Sequence, residues 1–125
     1  AGLIVIASFI SPFRAERQMV REILGASFRE VYVDASLATC EERDPKGLYK
    51  RARAGQIPQF TGISSPYEPP ETPDVRLDTT AYSVDECAHQ MRDYLANGGV
   101  LRSARGDHRV AGAVRTPARA SIRIQ

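Results

Sequence analysis

Five cationic side chains lie within eleven positions of this sequence, directly before a loop rich in proline and aromatic residues. They are Arg43, Lys46, Lys50, Arg51 and Arg53. Lys46, Lys50 and Arg53 have the spacing of one helix face, where like charges repel by about a few tenths of a kcal/mol per pair. A bound polyanion removes that repulsion, so the segment is typical of a lid that stabilises a phosphoryl-transfer transition state. A solvated helix surface is the alternative, and the density of charge argues against it.

The loop that follows contains an aromatic side chain in polar surroundings. Phe60 lies between Gln59 and Thr61-Gly62, which are not typical neighbours of a core aromatic residue. We therefore expect an exposed ring that stacks on a nucleic base, with a core position as the alternative. Residues 55–74 contain five prolines, which predicts a loop with fixed bends.

A third candidate is Ser11, at the point where an apolar run ends and a helix begins. A hydroxyl and backbone N–H groups at such a point can bind an anion at the carboxyl edge of a parallel sheet. The alternative is that Ser11 only caps the helix, with Pro12 in its first turn. Arg14 and Arg17 are expected to be solvated residues of the same helix.

Three apolar segments have the character of strands that position these side chains. The run 3–8 is continuous and β-branched, as in a parallel strand covered on both faces. Residues 28–33 predict a second strand that ends before Asp34, and residues 75–77 predict a short third one. The sequence therefore predicts a parallel sheet.

Helices are predicted between and after these strands. One follows Ser11-Pro12 as far as Gly25, and another is capped by Ser36 and continues through the cationic segment towards Gly55. Ser83 and Glu86 form a capping box for the last helix, which ends at residues 97–99. Its predicted apolar face comprises Val84, Cys87, Ala88, Met91, Tyr94 and Leu95.

The order strand, helix, strand, helix, strand, helix predicts an α/β protein with helices on both faces of the sheet. We assign residues 1–101 to one domain. Residues 102–125 contain six arginines and one aspartate, and they lack an apolar face. We expect them to form a basic, disordered tail.

Composition excludes several classes of protein. With 125 residues, 42% hydrophobic and 26% charged, the chain resembles a soluble globular domain. No apolar run approaches the ~20 residues of a membrane span. Cys40 and Cys87 belong to no disulfide framework or zinc motif, which favours a reducing cytoplasm and predicts no metal ligands. The basic tail has no interleaved aromatic residues, so specific nucleic-acid binding rests on charge alone and is not expected.

Four segments together resemble the adenylylsulfate kinase family. They read F-I-S-P-F-R from Phe9, V-D-A from Val33, R-D-P-K-G-L-Y-K-R-A-R-A-G from Arg43, and F-T-G-I-S-S-P-Y-E-P-P from Phe60. The resemblance is ordered and nearly gapless from Gly2 to about Leu101, and it does not extend into the tail. Another small-molecule P-loop kinase is the alternative on fold grounds, and the loop from Phe60 argues against it.

The resemblance implies a P-loop kinase that transfers the γ-phosphate of ATP, with Mg²⁺, to the 3′-hydroxyl of adenosine 5′-phosphosulfate. By position, Ile10, Ser11 and Lys46 would contact this substrate, and Gln59 and Phe60 would line and stack its adenine. A lid over the ATP phosphates would be formed by four cations, Arg43, Lys50, Arg51 and Arg53. Two positions would lie near the ATP base, Tyr82 and Cys87.

Two of these implied roles have alternatives. For Cys87, on an apolar helix stripe, we favour a core position. In this family Ser11 is also the position proposed for a phosphoserine, a role we do not expect because no residue beside it in sequence offers a general base. The resemblance also leaves open a homodimer or a fusion with ATP-sulfurylase-type domains.

Two family motifs are absent from the sequence. No G-x-x-x-x-G-K-[S/T] occurs, which removes the phosphate cradle, its lysine and the Mg²⁺-binding hydroxyl. A D-G-D-N-x-R-type segment, with the family's catalytic aspartate, is also missing. In the family the P-loop strand lies between the strands that match 3–8 and 28–33, so we expect an incomplete sheet with unpaired edges.

Two hypotheses follow from these absences. The first is a kinase that lacks its N-terminal third, carries the substrate and lid half of the site, and is inactive alone. The second is a non-catalytic module, derived from the kinase, that binds adenine nucleotides or regulates a full-length subunit.

Overall fold

The structure, a computed structural model, describes residues 3–98. Its helices are α1 (Arg14–Leu24), α2 (Leu37–Arg43), α3 (Leu48–Arg53) and α4 (Val84–Asn97), with a 3₁₀ turn at Gly25–Ser27. Strands β1 (Val31–Asp34) and β2 (Val75–Asp78) pair in parallel, with Val31 opposite Val75 and Asp34 opposite Asp78. The predicted α/β class with a parallel sheet is confirmed. The predicted tail and the domain end at Leu101 lie outside the described residues.

The core of the described chain is small and lies on the two strands. Tyr32, Val75, Leu77 and Cys87 are buried together, and Met91 and Tyr94 of α4 pack against them. Along each strand the buried residues alternate with less buried ones, in keeping with the period of two of a strand. Tyr32 also stacks on Tyr67, with ring centroids 6.1 Å apart, which ties the long loop to the sheet.

Helix α4 begins and ends as its sequence predicts. The Ser83 hydroxyl accepts from the Glu86 backbone N–H, and the Glu86 carboxylate accepts from the Ser83 backbone N–H at 2.8 Å. The predicted apolar face is too wide, however. Val84 is 85% exposed and Ala88 is also exposed, because the short sheet covers only the stripe through Cys87.

The predicted strand at residues 3–8 is wrong in this structure. These residues form no strand, and Leu3, Val5 and Ile6 are exposed, Leu3 by 84%. A strand requires a neighbour for its backbone N–H and C=O groups. Among residues 3–98 only β1 and β2 pair as strands, so the apolar pattern lacks the partner that would bury it.

The start of α1 also differs from the prediction. The helix begins at Arg14, and the residue at its N-cap position, Phe13, makes no capping hydrogen bond through its side chain. Instead the Glu68 carboxylate accepts a hydrogen bond from the Arg14 backbone N–H at 2.8 Å. Ser11 is therefore not the helix cap, and a loop residue from far along the chain fills that role.

The cationic segment forms two helices rather than one. Helix α2 is capped by the Ser36 hydroxyl, as predicted, and ends at Arg43. The chain then turns through residues 44–47, where Gly47 has a φ of 64°, before α3 begins. Lys46 lies in this turn, so the prediction that it shares a helix face with Lys50 and Arg53 is wrong. Pro45 and the left-handed Gly47 are the residues that interrupt the helix.

Candidate functional site

A groove of about 700 Å³ is the main concavity near the predicted site residues. Three of them line it together: Ile10 from the segment before α1, and Gln59 and Phe60 from the long loop. The other lining residues are Leu37, Tyr49 and residues 57–58 and 61–67. The groove is thus formed by two chain segments about fifty positions apart in sequence, closed at one side by α2 and α3.

The loop wall of the groove is a compact, hydrogen-bonded turn. The Phe60 carbonyl accepts from the backbone N–H groups of Ile63, Ser64 and Ser65 at 3.0–3.1 Å. In return the Phe60 N–H donates to the Ser64 hydroxyl at 2.9 Å. Gln59 has a φ of 53°, a left-handed conformation that a non-glycine residue adopts only when its surroundings hold it there. These bonds fix the position of the Phe60 side chain.

The Phe60 ring is half-buried rather than fully exposed as the sequence predicts. It meets Tyr49 of α3 edge to face, with centroids 5.0 Å apart and planes at 74°. This arrangement stabilises an aromatic pair and leaves the ring on the groove wall. The structure therefore joins the two sequence alternatives, since the ring packs against the protein and also faces the cavity.

Two tyrosines that the sequence analysis did not single out also line the groove. Burial, with Cys40, Asp44 and Glu41 nearby, raises the pKa of Tyr49 to about 12. Burial also raises the pKa of Tyr67 to about 12, with Arg17 opposing and Glu30 and Asp34 adding to the effect. Both phenols are neutral at physiological pH. The residues that line the groove therefore include aromatic rings with neutral phenols.

The predicted cations divide into two groups. Arg43 donates to the Thr79 hydroxyl at 3.0 Å and to the Thr79 carbonyl at 2.6 Å, which joins α2 to the loop after β2. Arg53 forms an ion pair with Glu41 at 2.5 Å. Lys46, Lys50 and Arg51 are exposed, and none of the three forms a salt bridge within residues 3–98.

Asp44 positions the start of the cationic helix α3. Its carboxylate accepts from the Lys50 backbone N–H at 3.0 Å. Desolvation opposes ionisation of Asp44, but hydrogen bonds from the backbone N–H groups of Lys50, Tyr49 and Leu48 outweigh it and lower the pKa of this carboxyl. The Asp44 carboxylate thus holds the first turn of α3. It thereby also holds Tyr49 beside Phe60.

Ser11 lies next to the groove without lining it. Its φ is 37°, and its carbonyl accepts a hydrogen bond from the Arg17 guanidinium at 2.5 Å. The expectation that Arg17 is a solvated helix residue is wrong, because only 11% of its side chain is exposed. Its Nε lies 2.9 Å from the Glu30 carboxylate, and Arg21 pairs with Glu30 and Asp74. A hydrophobicity pattern does not reveal this cluster, because its residues are charged.

Tyr82 and Cys87 lie at the start of α4, apart from the groove. Cys87 is 6% exposed and belongs to the core, and burial, with Glu86 and Asp78 adding, raises the pKa of its thiol. Tyr82 is 48% exposed, and its backbone N–H donates to the Asp78 carbonyl at 3.0 Å. Of the two, only Tyr82 is accessible to a ligand in this conformation.

Residues 3–98 contain neither a candidate metal site nor a candidate membrane span. No group of three or more histidine, cysteine, aspartate or glutamate side chains in this range could hold a metal ion. Within the same residues, no helix has the length and apolar character needed to cross a membrane.

Comparison with solved structures identifies the class of fold. The chain is similar to a structure described as the Mycobacterium tuberculosis APS kinase in complex with AMPPNP and APS, with a TM-score of 0.64 and 44% identity. The match covers 70% of this chain and 52% of that one. The fold is therefore of the P-loop NTPase type, with a short sheet.

Sequence comparison then identifies the family. The family model for adenylylsulphate kinase matches residues 1–78. The chain is 56% identical over 104 residues to the adenylyl-sulfate kinase of Marinobacter nauticus, covering 82% of this chain and 52% of that protein. It is 59% identical over 95 residues to that of Bacillus licheniformis, covering 75% and 48%. The chain belongs to the adenylylsulphate kinase family, and it spans about half the length of these curated relatives.

Proposed function

We propose that this chain carries the substrate-binding and lid portion of an adenylyl-sulfate kinase. The observation that carries the proposal is the convergence of Ile10, Gln59 and Phe60 on one groove. The family resemblance assigns these three residues to adenosine 5′-phosphosulfate, and they reach the groove from two distant segments. A groove with rings and neutral hydroxyls suits an adenine base, with the anionic end of the ligand directed to the exposed cations.

The proposed reaction is transfer of the γ-phosphate of ATP to the 3′-hydroxyl of adenosine 5′-phosphosulfate. The hydroxyl oxygen bonds to the γ-phosphorus, the bond from that phosphorus to the β–γ bridging oxygen breaks to release ADP, and the hydroxyl proton passes to solvent. We assign Lys46 to the anionic group of the substrate. Lys50 and Arg51 are assigned to the ATP phosphates, since both are exposed cations on α3.

Arg43 and Arg53 have a smaller place in this proposal than the sequence predicts. Their guanidinium groups bond to Thr79 and Glu41, so contact with a phosphate would require exchange of those partners. Mg²⁺ supplies charge neutralisation between the phosphates in this chemistry. Residues 3–98 offer no cluster for it, so we derive no step through the metal.

Direct transfer without a phosphoserine remains our prediction. The Ser11 carbonyl is bonded to Arg17, and a guanidinium is a donor that cannot act as a general base. Activation of the Ser11 hydroxyl would require such a base. We therefore assign Ser11 to binding through the segment that it shares with Ile10.

One observation favours a second function, binding without turnover. The sequence contains no G-x-x-x-x-G-K-[S/T], the motif that cradles the ATP phosphates. A non-catalytic adenine-nucleotide-binding module would bind adenosine 5′-phosphosulfate and form no product. Incubation of the full 125-residue chain with both substrates, followed by chromatography of the products, separates the two functions.

Calorimetric titration of the full chain tests the proposal. We expect adenosine 5′-phosphosulfate to bind more tightly than adenosine 5′-monophosphate, and the guanosine monophosphate not to bind. A Lys46→Gln variant should lose affinity, whereas Arg29→Gln, an exposed cation outside the groove, should not. Equal affinity for the adenine and guanine nucleotides would contradict the assignment.

Three further properties stay predictions from the family resemblance and the composition. These are a homodimer or a fusion with an ATP-sulfurylase-type domain, location in the cytoplasm, and a basic tail at residues 102–125 that follows the domain.

A further inference from the structure

The two walls of the groove are joined at Glu68, immediately after the loop wall ends. Its backbone N–H donates to the Pro12 carbonyl at 2.8 Å, and its carboxylate accepts from the Arg14 N–H at 2.8 Å. Both partners belong to the segment that carries Ile10 into α1. The end of one wall is thus fastened to the end of the other.

Arg17 bridges the same two segments from the side of α1. One guanidinium nitrogen donates to the Ser11 carbonyl at 2.5 Å and another to the Glu68 carbonyl at 2.6 Å. The planar guanidinium suits this task because its nitrogens can donate in two fixed directions at once. The Glu30 carboxylate, 2.9 Å from Nε, orients the group further.

The bridge lies against the groove but outside it. The Arg17 guanidinium carbon is 5.9 Å from the centroid of the Tyr67 ring, which lines the groove. Arg17 and Glu68 themselves do not line it. Ser11, held by Arg17, has a φ of 37°, which a residue with a Cβ adopts at a cost. The bridge therefore opposes the relaxation of the Ile10 wall.

We propose that Arg17 and Glu68 are positioning residues that set the separation of the two groove walls and hence the affinity for the adenylyl ligand. This inference rests on the proposed function for its ligand, adenosine 5′-phosphosulfate. Neither side chain touches that ligand. Both act through Ser11 and the start of α1.

The first measurement needs no ligand. We would record amide NMR spectra of the ¹⁵N-labelled full chain and of Arg17→Lys, Arg17→Ala and the control Arg92→Ala. Lysine keeps the charge and can reach only one carbonyl at a time. Both Arg17 variants should shift the amide signals of residues 10–11 and 67–68 and leave those of β1 and β2 in place. Unchanged signals at residues 10–11 and 67–68 would overturn the proposal, as would general loss of dispersion in Arg17→Lys.

The second measurement is affinity for adenosine 5′-phosphosulfate at a temperature where every variant is folded. Arg17→Ala and Glu68→Ala should each weaken binding about tenfold, the effect of losing one or two charge-assisted hydrogen bonds. Glu68→Gln keeps an acceptor for the Arg14 N–H and should restore binding to near the wild-type value. Glu71→Ala, which removes a neighbouring exposed carboxylate, should leave affinity unchanged.

The outcomes separate positioning from a purely structural role. Lower thermal stability with unchanged affinity in Arg17→Ala and Glu68→Ala would overturn the proposal. Equal losses in Glu68→Gln and Glu68→Ala would also contradict it. If the wild-type chain binds no adenosine 5′-phosphosulfate, the proposed function fails, and the amide shifts alone then decide whether Arg17 holds the two walls together.

Discussion

Replacement of Phe60 by leucine tests the base-binding role of the groove most directly. Leucine keeps an apolar side chain on the groove wall and removes the aromatic face. The ring is half-buried, and its contact with Tyr49, 5.0 Å between centroids, exists without ligand. Loss of that contact lowers stability by about 0.5–1.5 kcal/mol, and it affects affinity only through the remaining ring face.

The expected loss of affinity follows from the energy of stacking. A base stacked on an aromatic side chain is worth about 1–3 kcal/mol when the residue is replaced by alanine. Since leucine retains part of the apolar contact, we expect a loss of about 1–2 kcal/mol, which is roughly 5- to 30-fold in Kd. Calorimetric titration with adenosine 5′-phosphosulfate and with adenosine 5′-monophosphate should show similar losses, because both ligands contain the base.

The matched control is Phe28→Leu. The centroid of the Phe28 ring lies 5.2 Å from the guanidinium carbon of Arg21, away from the groove. Replacement of Phe28 should therefore leave affinity unchanged. Inorganic pyrophosphate, which has no base, should bind wild type and Phe60→Leu alike. An affinity for adenosine 5′-phosphosulfate within twofold of wild type in a folded Phe60→Leu protein would refute the assignment of the base to this wall.

Two predictions concern stability. Leu77→Ala should lower the free energy of unfolding by about 2–4 kcal/mol in urea titrations followed by circular dichroism, because Leu77 is in the buried cluster. Leu3→Ala, at an exposed position, is the control. A loss below about 1 kcal/mol in Leu77→Ala would contradict the described core. Glu86 accepts from the Ser83 hydroxyl and N–H, and these bonds lower its pKa. A carboxyl whose pKa is lower in the folded state than in the unfolded state stabilises the fold at pH values above its unfolded pKa. This contribution to stability is lost as the pH falls through the folded-state pKa. Wild type should therefore exceed Glu86→Gln in thermal stability at pH 7, and the difference should shrink below about pH 4.5; a difference independent of pH would contradict this.

Local sequence signals predicted the elements that depend on local contacts. The capping box at Ser83 and Glu86, the cap at Ser36 and the strand at residues 75–77 agree with the structure, because each depends on bonds or periodicity within a few residues. The strand at residues 3–8 does not, since its apolar pattern describes burial that only a neighbouring strand can supply. Lys46 lies in the turn between α2 and α3 rather than on the predicted helix face, because Gly47 takes a left-handed conformation.

The candidate site shows the same division. Motif resemblance selected Ile10, Gln59 and Phe60, and the structure places all three on one groove. Tyr49 and Tyr67 were not selected, because a tyrosine in a helix or loop has no sequence signal for a groove wall. The resemblance also selected Arg43 and Arg53, and their bonds to Thr79 and Glu41 could not be read from charge density.

The sequence by itself determined the α/β class, the family and the types of side chain on which the proposed binding of an anionic adenine nucleotide rests. These depend on residue identity and order along the chain. Only the tertiary structure decided that Glu68 caps α1 and that Arg17 donates to the Glu68 carbonyl. The reason is physical. These bonds join residues more than fifty positions apart, and a hydrogen bond forms only where folding brings its donor and acceptor within about 3 Å.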